Sequence, residues 1–267
     1  MNIKNELINF RRLLHKNPEI ARYEVNTAKM IIMFLQRFEP DEIVRNIGGY
    51  GIIAVFNGKR PGPTVMFRSE LDALPIEEKT NLSYASITRG NGHLCGHDGH
   101  MTMVAGLGYY LKQHRPNKGR VILLFQPSEE NGKGAIQVIK DKLFKPFQPD
   151  YIFAIHNLPG YPHNQIVVSN NHFAASSSGM AINLKGKSSH AAEPEKGLNP
   201  GQAIAKMILH FNELITYKYQ YNDFVLITPI HIRLGQLAYG TSPGKGVINF
   251  KFYLPIDLFQ KKEMVLG

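Results

Sequence analysis

Three short and largely apolar segments of this chain are separated by stretches with helical periodicity. The segments are Thr64–Phe67, Arg120–Phe125 and Tyr151–Ile155. The stretches between them, at about 101–111 and 135–142, repeat apolar residues at the spacing of an α-helix. Buried strands that alternate with helices are typical of a sheet with parallel strands and helices on its faces. The pattern therefore predicts an α/β fold with a mainly parallel sheet flanked by helices.

Polar side chains follow each of these segments. Asp72 lies shortly after the first, Glu129 and Glu130 lie after the second, and His156 comes directly after the third. In sheets of this kind, ligands bind at the carboxyl ends of the strands. We therefore expect these four side chains to meet at one edge of the sheet.

The stretch Gly92–His100 holds three histidines, one aspartate and the only cysteine of the chain. Cys95 and His97 are two residues apart, and in an extended segment this spacing puts both side chains on one face. A thiolate and an imidazole suit zinc or a similar transition ion, and the strand-end residues could complete a set for two ions. The ordinary alternative is a buried cysteine beside surface histidines. Asp98 fits either the N-cap of the following helix or a role beside the metal.

The pattern changes near residue 175, and a second domain is expected to begin there. The elements predicted after this point are, in order, a strand at 179–186, a helix at 198–217, strands at 224–234 and 247–253, and a helix that starts at about Asp257. This order predicts a two-layer α+β domain that lacks its last strand. We therefore divide the chain into a metal-binding domain, 1–175, and a smaller, incomplete domain, 176–267.

Composition limits the partners that this chain is expected to have. Its formal net charge is +10, but its basic residues are scattered, and the longest clusters are Arg11–Arg12 and Lys261–Lys262. Because nucleic-acid phosphates are bound by clustered basic side chains, we expect no nucleic-acid partner. No apolar run is long enough to cross a bilayer, so we expect no membrane partner. The start of the chain lacks the layout of a signal peptide and a single cysteine fits a reducing compartment, so we expect a cytoplasmic protein.

Seven short motifs occur in one order along almost the whole chain. They are Arg11–Glu19, Pro61–Arg68, Leu71–Pro75, Cys95–Asp98, Phe125–Glu130, Ile155–His156 and Gly186–Ala192. Together they resemble the metal-dependent amidohydrolases and metallopeptidases of the aminoacylase and carboxypeptidase G group, in the branch of hippurate hydrolase and the indole-acetyl-amino-acid hydrolases. The resemblance implies a zinc-exopeptidase-like domain with an inserted ferredoxin-like lid domain. It leaves open a homodimer formed through that lid.

The resemblance also implies a role for each of the metal-site residues. The family's metal ligands fall on Cys95, His97, Glu130 and His156, with the thiolate bridging two divalent ions such as zinc or manganese. Glu129 matches the general base that takes a proton from a metal-activated water. The ordinary alternative for the two glutamates is a solvent-exposed acidic turn.

Two further residues acquire roles from the same resemblance. Asp72 matches an aspartate that orients a ligand histidine from behind, and its alternative is a loop cap. His190 matches a histidine of the lid that reaches the substrate carbonyl or carboxylate, and its alternative is an exposed loop histidine. The small-molecule substrate implied by the resemblance is an N-acyl amino acid or a small peptide, hydrolysed at its amide bond.

The chain departs from the family pattern in three places, of which the mildest is Ser69–Asp72 in place of the usual Ala-Asp-Met-Asp, a change that keeps the second acid. Gly240–Gly244 replaces the usual Asn-x-Ile-Pro loop, which leaves the substrate preference open. Family members continue beyond the lid and bring a last histidine ligand, and neither His210 nor His231 has a matching context. The chain therefore resembles a C-terminally truncated member, and the rival prediction is a catalytically inactive fragment that keeps the fold.

Overall fold

The computed structural model describes residues 2–168, 174–215 and 224–254. The chain divides into two compact units, Met1–Tyr161 and Pro162–Gly267. The predicted boundary at 175/176 stays a prediction, since residues 169–173 beside it lie outside the described residues. In the described ranges, no helix combines the length and apolar character that crossing a bilayer requires.

Both units contain helices and strands. The helices are α1 (Ile3–Lys16), α2 (Val25–Gln36), α3 (His97–Gln113), α4 (Gly134–Lys140) and α5 (Gly201–Glu213), with short 3-10 helices at Lys142–Phe147 and Pro194–Lys196. The strands of the first unit are β1 (Glu42–Ile47), β2 (Gly51–Asn57), β3 (Thr64–Glu70), β4 (Arg120–Gln126) and β5 (Tyr151–Ala154). Those of the second are β6 (Ser176–Lys185), β7 (Ser189–His190), β8 (Leu226–Leu234), β9 (Thr241–Ser242) and β10 (Lys245–Leu254).

The described strands of the first unit form one mixed sheet in the order β1-β2-β4-β3-β5. β3 pairs in parallel with β4 and β5, whereas β2 pairs antiparallel with β1 and β4. The prediction of a mainly parallel sheet therefore holds for the β4-β3-β5 pairings, whereas both pairings of β2 are antiparallel.

A tight turn accounts for the antiparallel pairing of β1 with β2. β1 and β2 are joined by residues 48–50, and a parallel pair would need a crossover of a dozen or more residues. Gly48 and Gly49 adopt φ values of +62° and +124°, which favour glycine and suit a hairpin turn. A Cβ at Gly48 would lie 2.6 Å from the backbone nitrogen of Val138, so this position also lacks room for a side chain.

Helices cover both faces of the sheet in the first unit. Along β2, Ile52, Ala54 and Phe56 pack into one apolar cluster together with residues of α1, α2 and α3. Ile53 and Val55 point the other way into a second cluster, which also contains side chains of α4 and the first 3-10 helix. β2 is therefore buried on both faces, as its almost wholly apolar sequence requires.

β5 is an exception to the prediction that these strands are buried. Its side chains are all exposed, and Tyr151 has an exposed fraction of 61%. In the described sheet β5 is an edge strand that pairs only with β3. The apolar sequence of the strand was a correct sign of its conformation but not of its burial.

The second unit has a separate core. β6, β10 and β8 form an antiparallel sheet, and α5 contributes Ile204 to a cluster with Ile227, Ile248 and Phe250 of the strands. The described part is thus a sheet with a helix on it, whereas the ferredoxin-like lid stays a prediction. The helix expected from about Asp257 lies outside the described residues.

Candidate metal centre

The carboxyl ends of the three parallel strands bring four of the predicted residues to one edge. Asp72 follows β3, Glu129 and Glu130 follow β4, and His156 follows β5. Since these strands are neighbours and run in the same direction, their ends lie side by side. This is the arrangement that the order of elements in the sequence predicts.

The turn into α3 places Cys95 and His97 at the same edge. Gly96 has φ +91° and precedes the first residue of the helix, His97. A Cβ at this glycine would lie 2.4 Å from Oδ1 of Asn157, so the turn packs closely against the residue after His156. The prediction of an extended segment is therefore wrong. The left-handed Gly96 and the start of α3 determine the directions of the Cys95 and His97 side chains.

The side chains at this edge form overlapping groups of possible metal donors. Cys95 Sγ lies 3.4 Å from His156 Nε2. His97 Nε2 lies 3.7 Å from Glu130 Oε1 and 3.9 Å from Glu129 Oε2. The donor atoms of Cys95, His97 and His156 all lie within 4.8 Å of one another, and so do those of His97 and the two glutamates. His97 thus belongs to both groups.

Backbone carbonyls fix the orientation of both histidines. Nδ1 of His97 donates to the carbonyl oxygen of Asp72 at 2.7 Å. Nδ1 of His156 donates to the carbonyl oxygen of Asn157 at 2.8 Å. This makes both Nε2 atoms available to an ion, which is the usual arrangement for metal-binding histidines. Nε2 of His97 has no hydrogen-bond partner, and Nε2 of His156 faces Cys95 Sγ.

The residues present fit a divalent transition ion. Nε2 of His97 and Oε1 of Glu130 are buried without a hydrogen-bond partner, which is costly unless something binds them. Burial and the charge of Glu130 raise the pKa of Cys95 to about 12. Burial, together with Glu129 and Asp72, raises the pKa of Glu130 despite the opposing effect of His97. Cys95 and His156 in one group with His97, and Glu130 in another, are donors suited to zinc or a similar ion.

Asp72 contacts the glutamate loop through its side chain. The fully buried carboxylate accepts the backbone N–H of Glu129 at Oδ1 and that of Glu130 at Oδ2, both at 2.9 Å. The predicted contact of this carboxylate with a ligand histidine is replaced by the contact of its backbone carbonyl with His97. Asp72 therefore links His97 to both glutamates.

A second buried network, which the sequence patterns did not predict, lies next to His97. His100 donates through Nδ1 to Oε2 of Glu70 at 3.0 Å, and its Nε2 lies 3.1 Å from the backbone nitrogen of Asn157. Burial opposes ionisation of Glu70, but the hydrogen bond from His100 and the charge of Arg68 lower its pKa to about 2. A signal was present in the sequence, because Glu70 ends a strand and His100 follows His97 by three residues.

Asp98 takes neither of its two predicted roles. The N-cap position of α3 is Gly96, and Asp98 lies within the first turn of the helix. Its carboxylate Oδ2 accepts from Nε of Arg11 at 2.7 Å and from Nδ1 of His15 at 2.8 Å. Because the helix begins two residues earlier than the apolar period suggests, this side chain turns towards α1 and ties the two helices together.

His190 belongs to the second unit. It ends β7, where it is exposed and its Nδ1 accepts the backbone N–H of Ala192 at 3.1 Å.

A cavity of about 690 Å³ in the first unit is lined by Glu24 and Ser128 among others, but by none of the predicted site residues.

Comparison with known proteins identifies similar chains along most of this sequence. Residues 66–242 match peptidase family M20/M25/M40. The chain is 32% identical over 238 residues to N-acetyldiaminopimelate deacetylase of Priestia megaterium, covering 89% of this chain and 62% of that protein. It is 33% identical over 216 residues to hippurate hydrolase of Campylobacter jejuni, covering 81% of this chain and 56% of that enzyme.

A solved structure is similar to this chain in its fold. A Bacillus subtilis protein described as a dinuclear metal binding peptidase matches with a TM-score of 0.72 and 28% identity, over 96% of this chain and 66% of that one. By sequence, this chain spans 62% of the length of the deacetylase and 56% of the length of the hippurate hydrolase.

Proposed function

The chain belongs to peptidase family M20/M25/M40, and on that premise we propose that it hydrolyses the amide bond of an N-acyl amino acid or small peptide with the help of divalent metal ions. The observation that carries this proposal is the pair of buried, unpartnered donor atoms, His97 Nε2 and Glu130 Oε1, beside Cys95 and His156. The similar proteins support the reaction class, since those named act on N-acetyl compounds and on hippurate.

Four side chains would hold the metal: Cys95, His97, Glu130 and His156. Two ions are proposed because a thiolate can bridge and because a similar solved structure is described as dinuclear. Zinc and manganese both suit the donors. When bound, such ions act as Lewis acids that lower the pKa of water and polarise the amide carbonyl.

Glu129 is proposed as the general base. Its side chain has an exposed fraction of 40%, twice the 20% of the Glu130 side chain, so water can reach it. Its backbone N–H is held by Asp72, which fixes where the side chain starts. Glu129 would accept a proton from the attacking water and return it to the departing amine, a role that typically contributes a hundredfold to ten-thousandfold in rate.

The second unit is proposed as a lid whose His190 stabilises the negative charge that develops on the carbonyl oxygen. Its exposed position and the motif Gly186–Ala192 support this role. A homodimer through the lid, the absence of a nucleic-acid partner and a cytoplasmic location stay predictions from the sequence.

The test is a substrate screen with the full-length gene product. The protein is stripped of metal, reconstituted with zinc or manganese, and assayed on N-acetyl-, hippuryl- and indole-acetyl-amino acids. We expect release of the free amino acid only after reconstitution, and loss of this activity in Cys95→Ala. Stoichiometrically metal-loaded protein that hydrolyses none of the three classes would contradict the proposal.

A further inference from the structure

The loop after β4 has three successive backbone N–H groups that all donate to buried carboxylates. Ser128 donates to Oε1 of Glu24 at 2.7 Å, and the next two residues donate to Asp72. Glu24 and Asp72 both have an exposed fraction of 0%. Fully buried carboxylates seldom occur without a specific partner. Here the partners are the backbone N–H groups of the loop, so Glu24 and Asp72 anchor it.

Ser128 has a backbone conformation that needs such an anchor. Its φ is +54°, in the left-handed region that residues other than glycine rarely adopt. Its hydroxyl donates to Oε1 of Glu24 at 3.2 Å and accepts the backbone N–H of Arg22 at 3.1 Å. Both contacts come from the segment that leads into α2, more than 100 residues away in sequence.

We propose that Glu24 is a positioning residue, which holds Ser128 in its left-handed conformation and thereby sets the directions of Glu129 and Glu130. The inference rests on the proposed function, in which these two side chains are the general base and a metal ligand. A misplacement of about 1 Å at such groups can lower a rate a hundredfold. Glu24 itself touches neither metal donors nor substrate in this scheme.

Glu24 could either anchor the loop through Oε1 or merely fill space in the core, and its second oxygen, Oε2, bears on this choice. Oε2 is buried and has no hydrogen-bond partner, and burial raises the pKa of this carboxyl although backbone hydrogen bonds oppose the rise. If the side chain only filled space, an apolar residue of similar length would serve as well. If its Oε1 anchors the loop, an amide oxygen in the same place should suffice.

The experiment compares Glu24→Gln with Glu24→Met, which have similar size but differ in the acceptor. Three quantities are measured: amide hydrogen exchange of residues 128–130, zinc affinity by chelator competition, and kcat and KM on the best N-acyl substrate. We expect Glu24→Gln to stay within threefold of the parent in each. For Glu24→Met we expect at least tenfold faster exchange at these amides, weaker zinc binding, and a kcat about tenfold to a hundredfold lower with little change in KM.

A control separates positioning from a general loss of stability. Phe144→Leu, in the second apolar cluster of the first unit, should lower the melting temperature while leaving exchange at 128–130 and kcat unchanged well below that temperature. Equal behaviour of Glu24→Met and Glu24→Gln in all three measurements would overturn the proposal. If Glu24→Met does not fold, Ser128→Ala tests the proposal instead. This change removes the hydroxyl that donates to Glu24 and should speed amide exchange at residues 129–130; unchanged exchange there would overturn the proposal.

The exchange measurement also distinguishes the two hypotheses. If the parent protein binds no metal and has no hydrolase activity, the proposed function fails, whereas slow exchange at 128–130 that is lost only in Glu24→Met still supports the anchor. If the parent is active and exchange is the same in all variants, the anchor fails and the proposed function stands.

Discussion

Glu129 and Glu130 are adjacent in the chain, but their side chains have different surroundings. Both backbone N–H groups donate to the carboxylate of Asp72. Beyond that point, Oε1 of Glu130 is buried without a hydrogen-bond partner near His97, whereas the side chain of Glu129 is more exposed. One carboxylate is thus placed as a ligand and the other remains accessible to water and substrate.

Exchanging each glutamate for glutamine should separate these roles. We expect Glu129→Gln to keep its metal and to lose a hundredfold to ten-thousandfold in kcat, because the general base is gone. We expect Glu130→Gln to lose metal, since an amide is a poorer ligand than a carboxylate. Elemental analysis and steady-state kinetics measure both effects. The reverse pattern would show that the roles are exchanged.

At the residue scale, the sequence predicts the candidate donors better than the contacts that hold them. Cys95, His97 and His156 could be found because they follow strands or share a glycine-rich stretch. The anchor between Glu24 and Ser128 spans 104 residues, and no local pattern reports a contact of that range. The same limit applies to Asp72, whose carboxylate was expected at a histidine and instead holds two backbone N–H groups.

At the scale of elements, the start of α4 is packed against the glutamate loop. Gly134 donates its N–H to the carbonyl of Ser128 at 3.0 Å. A Cβ at Gly134 would lie 1.7 Å from the carbonyl oxygen of Pro127, a distance that no side chain can keep. The first residue of this helix must therefore be glycine for the loop to hold its conformation.

Gly134→Ala tests this contact. We expect it to lower the free energy of unfolding by about 1–3 kcal/mol, as overpacking typically does, and also to weaken zinc binding because the loop must shift. Gly99→Ala is the matched control, since a Cβ there would have no neighbour within 4 Å and alanine favours a helix interior. Chemical denaturation measures both variants. Equal stabilities would contradict the account of this contact.

The elements themselves were largely predictable, but their pairing and boundaries were not. The strands β3, β4 and β5 follow from short apolar segments, and the helices α3 and α4 follow from apolar periodicity. The antiparallel pairing of β1 with β2 depends on a turn of three residues, 48–50, which the prediction of a parallel sheet did not take into account. The start of α3 depends on the left-handed Gly96, which apolar periodicity does not reveal.

At the scale of the whole molecule, the possible metal donors are unevenly distributed. Among the described residues, every group of side chains close enough to share an ion lies in the first unit. Ligand binding stabilises the part of a protein that forms the site, by about 2.7 kcal/mol at a hundred times the dissociation constant. The two units should therefore respond differently to metal.

Hydrogen exchange with and without zinc measures this difference. We expect zinc to slow exchange in the first unit, most strongly around residues 95–100 and 126–131, and to leave β6, β8 and β10 nearly unchanged. Cys95→Ala should abolish the effect. Protection of the second unit alone, or equal protection of both, would contradict a site built from the first unit.

The sequence also predicts two domains, and its boundary at 175/176 stays a prediction. A change from alternating strands and helices to a strand-rich pattern near residue 175 indicates the second domain, and the chain divides into two compact units. The roles of the second unit as a lid and in dimerisation rest on the resemblance of motifs and stay predictions.

Anomalous diffraction from crystals of the zinc-loaded protein tests the central claim most directly. We expect zinc peaks about 2.0–2.3 Å from Cys95 Sγ, the Nε2 atoms of His97 and His156, and the carboxylate of Glu130, with the carboxylate of Glu129 outside the coordination shell. Zinc bound by Glu129 with Glu130 outside, or zinc bound elsewhere with none near Cys95 and His97, would contradict the account.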